Sequence, residues 1–133
     1  LVVDAGTALT LDALGDDGEH LGGQIIPGVE TMLESLSSAT SDLPAVKAGK
    51  SPNAGDLKMF GKNTTAAIRE GAQNAVAGAI DRAALTLEEN GFAPTIVLTG
   101  GGASRILGAL GSEALHRPNL VLSGLAHMME NPR

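Results

Sequence analysis

Residues 1–26 read LVVDAGTALTLDALGDDGEHLGGQII and set out the first half of a sheet. Leu1–Asp4 is a short apolar run of the kind buried in a sheet. Thr7–Leu14 alternates in part and predicts a second strand, with Ala5-Gly6 as the tight connection. Gly15-Asp16-Asp17-Gly18 is a strong hairpin-turn signal. Glu19–Ile26 then predicts a third strand, interrupted by Gly22-Gly23. Three strands joined by turns this short imply an antiparallel opening to the sheet.

The pattern then turns helical. Pro27-Gly28 stops the strand, and Val29, Met32, Leu33 and Leu36 fall at helical spacing. Ser37–Lys62 follows without clear periodicity, and loops of that length inside a small domain are usually functional or mobile. Asn63 is the expected N-cap of a long helix reaching about Asn90, with Ile68, Ala72, Val76, Ala79/Ile80, Ala83 and Leu87 as its apolar stripe. Gly71 and Gly78 on that helix each cost about 1 kcal/mol relative to Ala, which suggests close packing against the sheet or a second subunit. Gly91 and Pro94 supply the stop. Thr95–Thr99 predicts a buried parallel strand, Gly100-Gly101-Gly102 a turn, and Ala103–Leu115 a helix. Leu120-Val121-Leu122 predicts a last strand and Gly124–Glu130 a closing helix. The expected fold is α/β: three antiparallel strands followed by alternating strands and helices, the layout of a ribonuclease-H-like lobe.

Composition narrows the function. The chain has 133 residues, which size alone assigns to one domain. It contains no cysteine, so disulfide scaffolds and cysteine-ligated metal sites are excluded. Phe60 and Phe92 are the only aromatics, too few for a base-stacking platform. The net charge of −6 disfavours nucleic acid as a partner. No signal peptide or long apolar span is visible, so no membrane association and a cytoplasmic location are expected. The start at Leu1 without a Met suggests that an upstream segment has been removed.

Chemistry concentrates at a few places. Asp4-Ala5-Gly6-Thr7-Ala8 lies between two strands. Gly6 lets a phosphate approach the backbone N–H groups, Thr7 adds a hydroxyl, and Asp4 offers a carboxylate to an accompanying cation. A hairpin turn with a solvated Asp accounts for the pentapeptide equally well. Gly100-Gly101-Gly102-Ala103-Ser104 opens a predicted helix and suits an anion, or is simply a tight strand-to-helix turn. It is neither a Walker A loop nor a full G-x-G-x-x-G. Gly22-Gly23-Gln24-Ile25-Ile26-Pro27-Gly28 signals either a bent strand or a ligand pressing on the backbone. Thr64 and Thr65 can bind a polar substrate, though helix capping explains Asn63 beside them. Residues 1–46 carry eight acids and no Lys or Arg, whereas 47–62 carry Lys47, Lys50, Lys58 and Lys62 against Asp56. That basic segment is a solvated loop or a mobile neighbour of an anionic ligand. His20, His116 and His127 lack metal-ligand spacing.

Taken in order, LVVDAGTALTLDAL, GGQIIPG, the Ser-Ala-Thr…Asp-Leu-Pro stretch at 38–44, GKNTTAAIREG, IVLTGGGAS and PNLVLSGL resemble the type III pantothenate kinases, the CoaX family, also called Bvg accessory factors or Baf. The resemblance covers essentially the whole chain. It implies an actin/Hsp70/sugar-kinase ATPase fold and ATP-dependent phosphorylation of pantothenate, the first step of coenzyme A synthesis. It also implies a homodimer, a monovalent cation (K+ or NH4+) and Mg2+. By the same resemblance Asp4 is the monovalent-cation ligand, Gly6 and Thr7 form the second ATP phosphate loop, Gly100 and Gly101 lie on the adenosine side, and Thr64 contacts pantothenate near the dimer interface. The family's Asp-x-Gly-Asn-Thr loop and its Gly-x-Asp-Arg segment, whose Asp is the general base, are missing from this chain. Residues 1–133 are therefore expected to be a C-terminal lobe that is inactive alone, with no catalytic base of its own. The older name keeps a second expectation open, an accessory protein in transcriptional regulation without kinase activity.

Overall fold

The computed structural model describes residues 1–49 and 59–131. Strands β1 (Val2–Ala5), β2 (Ala8–Leu14) and β3 (His20–Pro27) come first, followed by helices α1 (Val29–Ala39) and α2 (Thr64–Glu89). Then come β4 (Ile96–Thr99), α3 (Ala103–Ile106), β5 (Ala114–His116) and α4 (Leu120–Glu130). The architecture is mixed α/β around a five-stranded sheet of order β3-β2-β1-β4-β5. β1 pairs antiparallel with β2 and parallel with β4, and β5 continues the parallel half. The antiparallel opening is as expected. Because β1 and β4 run the same way, the loops that follow them leave the sheet at one edge, the carboxyl ends where α/β sheets place their ligands.

Period-two alternation sorts the central strands. Val3, Ala5, Leu9, Leu11, Ile96 and Leu98 are buried on the face that α1 and α2 cover. Asp4, Thr10 and Ile25 are cross-strand neighbours on the opposite face, where Ile25 is exposed. α2 meets the sheet with Ile68, Ala72, Val76, Ile80 and Ala84, close to the expected stripe. Its N-cap is Asn63, whose Oδ1 accepts the Ala66 N–H at 2.9 Å. α1 runs to Ala39, so it takes the first residues of the stretch expected to be loop. Its last turn ends where the Ser35, Ser37, Ser38 and Thr40 hydroxyls donate back to helix carbonyls.

Three expectations change. The helix predicted over Ala103–Leu115 stops at Ile106. Gly108 and Gly111 weaken it, and Asp81 on α2 draws the chain away: its Oδ2 and Oδ1 accept the Gly111 and Ser112 N–H groups at 2.9 and 3.0 Å. Ala114–His116 can then pair with β4 as the last strand. The predicted strand Leu120-Val121-Leu122 is instead the first turn of α4, because the position beside β4 is already filled. α4 has no buried residue, and Val121, Leu122, Leu125, Met128 and Met129 are exposed. Finally, Gly71 and Gly78 do not pack against the sheet. Both are exposed, and a Cβ at either would meet nothing within 4 Å among the described residues.

Candidate functional site

The β1–β2 turn, the start of α1 and the β4–α3 loop converge at the carboxyl edge of the sheet. The turn is closed by the Gly6 N–H donating to the Ala8 carbonyl at 3.0 Å. The Thr7 carbonyl accepts twice from α1, from the Gly28 N–H at 2.8 Å and the Thr31 hydroxyl at 2.7 Å. Gly28 is required by this contact: a Cβ there would strike the Gly6 carbonyl oxygen and sit 2.8 Å from that of Thr7.

The second glycine segment docks on the end of β1. Gly100 has a φ of 90°, and a Cβ on it would meet Asp4 Oδ1 and the Ala5 backbone. The Gly102 N–H donates to the Ala5 carbonyl at 2.9 Å. The three glycines thus divide their work: Gly100 and Gly102 allow close backbone packing, while Gly101 is exposed and a Cβ there would meet nothing within 4 Å.

Between these segments lies a cavity of about 300 Å³. Its floor is Ala5, Leu9, Val76 and Ile106, and its rim includes Gly6, Thr7, Gly28, Gly101 and Gly102. An apolar floor under a rim of bare backbone, one hydroxyl and the charged side chains of Glu30 and Arg105 suits an apolar group carrying a polar tail. Among the described residues no hydrogen bond engages the Thr7 hydroxyl. α3 is a single turn, so it adds little of the helix dipole that the predicted longer helix would bring.

Two charged residues that the motifs did not indicate also line this cavity. Arg105 Nη1 on α3 donates to Glu30 Oε1 on α1 at 2.9 Å. Opposite charges 75 positions apart carry no local signal. Only the packing of α3 beside α1 pairs them.

The remaining candidates are placed elsewhere. Asp4 lies at the same sheet edge, but its position on β1 alternates with Val3 and Ala5, so it faces away from the cavity floor. Its carboxylate lies under Gly100 and has no protein partner among the described residues, which fits a cation ligand. Among the described residues no group of three His, Cys, Asp or Glu forms a metal cluster, so further oxygen donors would have to be carbonyls, hydroxyls or phosphates. Thr64 is exposed at the first residue of α2. It stands about 18 Å along the helix axis from Val76 in the cavity, by the usual helical rise. The structure does not bring it into the cavity of this chain. Gly22 and Gly23 form a strand irregularity: Gly22 has a φ of 135°, beside a register shift at Ala13/Leu14. They lie away from this cavity; of their motif, Gly28 lines it. Lys47 is exposed, while Lys50 and Lys58 fall outside the described residues. His20 Nε2 lies 3.0 Å from Asp12 Oδ1 in the hairpin.

Sequence comparison supplies independent information. A curated protein from Thiobacillus denitrificans named type III pantothenate kinase is 41% identical over 126 residues, 94% of this chain and 49% of its own length. One from an Anaeromyxobacter species, with the same name, is 38% identical over 134 residues, 100% of this chain and 51% of its own length. The chain therefore spans about half the length of the curated relatives it matches. A solved structure described as a Baf family transcriptional activator from Campylobacter jejuni superposes with a TM-score of 0.65 at 25% identity, over 98% of this chain and 57% of the other. The family model for type III pantothenate kinase matches residues 1–85, from β1 through most of α2, and on this evidence the chain belongs to the type III pantothenate kinase family.

Proposed function

We propose that residues 1–133 form the C-terminal lobe of a two-lobed, ribonuclease-H-like kinase that phosphorylates pantothenate to 4'-phosphopantothenate with ATP, the first step of coenzyme A synthesis. One observation carries this reading: the Gly6-Thr7 turn and the Gly101-Gly102 segment share the rim of a single cavity at the carboxyl ends of β1 and β4. ATP supplies the transferred phosphoryl group. In this reading Gly6 and Thr7 receive the phosphates through backbone approach and a hydroxyl donor. Gly100 and Gly101 flank the adenosine side, Gly100 by shaping the loop and Gly101 by leaving it open. Asp4 holds a monovalent cation, K+ or NH4+, on the neighbouring face, with Mg2+ accompanying the phosphates.

Thr64 contacts pantothenate. Its distance from this cavity suits a homodimer in which the start of α2 serves a site it shares with a second copy. The open Gly71 and Gly78 are then available to a subunit contact. The chain contributes no general base, so it positions nucleotide and substrate without completing the reaction. A cytoplasmic setting belongs to this reading. Among the described residues no helix is long and apolar enough to cross a membrane.

A coupled assay tests the proposal. The full-length protein carrying this chain should turn over pantothenate and ATP with potassium dependence, and residues 1–133 alone should not. No potassium-dependent turnover by the full-length protein overturns it. The accessory reading draws on the description of the Campylobacter jejuni structure. Specific DNA binding in a gel shift at physiological salt would favour it, against the chain's net charge of −6.

A further inference from the structure

Among the described residues the cavity rim holds one cationic side chain, Arg105, in a chain with 9 Lys and Arg against 15 Asp and Glu. Its partner Glu30 has a second contact: Oε2 accepts the Ala48 N–H at 3.3 Å. The segment around Ala48 is also held from α2, where Arg69 Nε donates to the Lys47 carbonyl at 3.1 Å and Gln73 Nε2 to that of Gly49 at 3.3 Å. Val46 anchors it in the core. Glu30 therefore joins the cavity wall to a segment that is otherwise fastened to the first half of α2, the helix that starts at Thr64.

The Arg105 and Glu30 side chains are 46% and 51% exposed, so their ion pair is solvent-screened and readily exchanged. A guanidinium has five N–H donors in a planar fork, and a phosphate engages that fork with two parallel bonds. The structure records one contact to Glu30. We infer that Arg105 is a phosphate-contacting residue of the cavity, that Glu30 holds it ready, and that an arriving phosphate draws it from Glu30. This rests on the nucleotide reading of the cavity. It adds a named cation to a rim whose other charged side chain is its partner Glu30.

Calorimetric titration of the 133-residue chain with ATP and with adenosine tests it. Arg105→Ala should weaken ATP binding about tenfold and leave adenosine within twofold. Arg105→Lys should fall between. Glu30→Gln should tighten ATP binding about threefold, since the competing carboxylate charge is gone. Both side chains are half-exposed, so the variants should unfold at temperatures close to the parent. If the parent binds ATP and Arg105→Ala binds it equally well, the inference falls while the nucleotide reading stands. Equal loss of ATP and adenosine in Arg105→Ala also overturns it, since the side chain would then only shape the cavity. If the parent binds neither ligand, the nucleotide reading falls for this chain and the inference with it.

Discussion

Two regions of this molecule use glycine oppositely. At the carboxyl edge of the sheet, Gly28 and Gly100 are surrounded by backbone from another segment, so a single methyl group has nowhere to go. On the outer face of α2, Gly71 and Gly78 face open space. In the first region glycine is a condition of assembly, because three loops can close around a cavity only where their backbones touch. In the second it costs helix stability with no packing return among the described residues. The residue type alone does not separate the two cases. The neighbour that would meet the missing Cβ does.

Gly28→Ala should have the largest effect on this contrast. Its Cβ would collide with two backbone carbonyls of the β1–β2 turn, and neither can swing aside as a side chain end would. A loss of about 3 kcal/mol or more is expected in urea unfolding, with nucleotide binding lost as well. Gly100→Ala should follow at about 2–3 kcal/mol, from the strain at a φ of 90° together with contact on Ala5. Gly101→Ala breaks the pattern deliberately. It should leave the unfolding midpoint unchanged yet weaken ATP binding about tenfold, because a methyl group on the open rim obstructs backbone approach. Unfolding midpoints and titration with ATP separate these outcomes, and a destabilised Gly101→Ala would show that the division of roles within Gly100–Gly102 is wrong. The smallest effect has the opposite sign. Gly71→Ala and Gly78→Ala should each stabilise the chain by about 0.5–1 kcal/mol in thermal unfolding. If the α2 face is a subunit contact, the same changes should weaken self-association in sedimentation experiments.

Much of this architecture was legible in the chain. The antiparallel hairpins, the long helix from Asn63 and the strand before Gly100 carry strong local signals: turn glycines, a side-chain cap and an apolar run of strand length. The failures cluster after Ile106. Ala103–Leu115 has enough apolar residues to pass for a helix, and Leu120-Val121-Leu122 is too short for periodicity to decide. What redirects that region is Asp81, whose carboxylate captures the Gly111 and Ser112 N–H groups from 30 and 31 residues away.

The candidate site divides along the same line. Bare backbone, the place of the lone carboxylate of β1 and the tight turns can be read from the order of residues, because these follow from missing Cβ atoms and short-range geometry. Only the tertiary structure decided that the Gly6-Thr7 turn and Gly101-Gly102 share one cavity, that Asp4 lies on the other face of the sheet, that Thr64 stands apart, and that Arg105 meets Glu30. The physical reason is the parallel pairing of β1 with β4, a contact between residues some 95 positions apart. It sends both loops to one edge, and no local pattern in the chain can encode it.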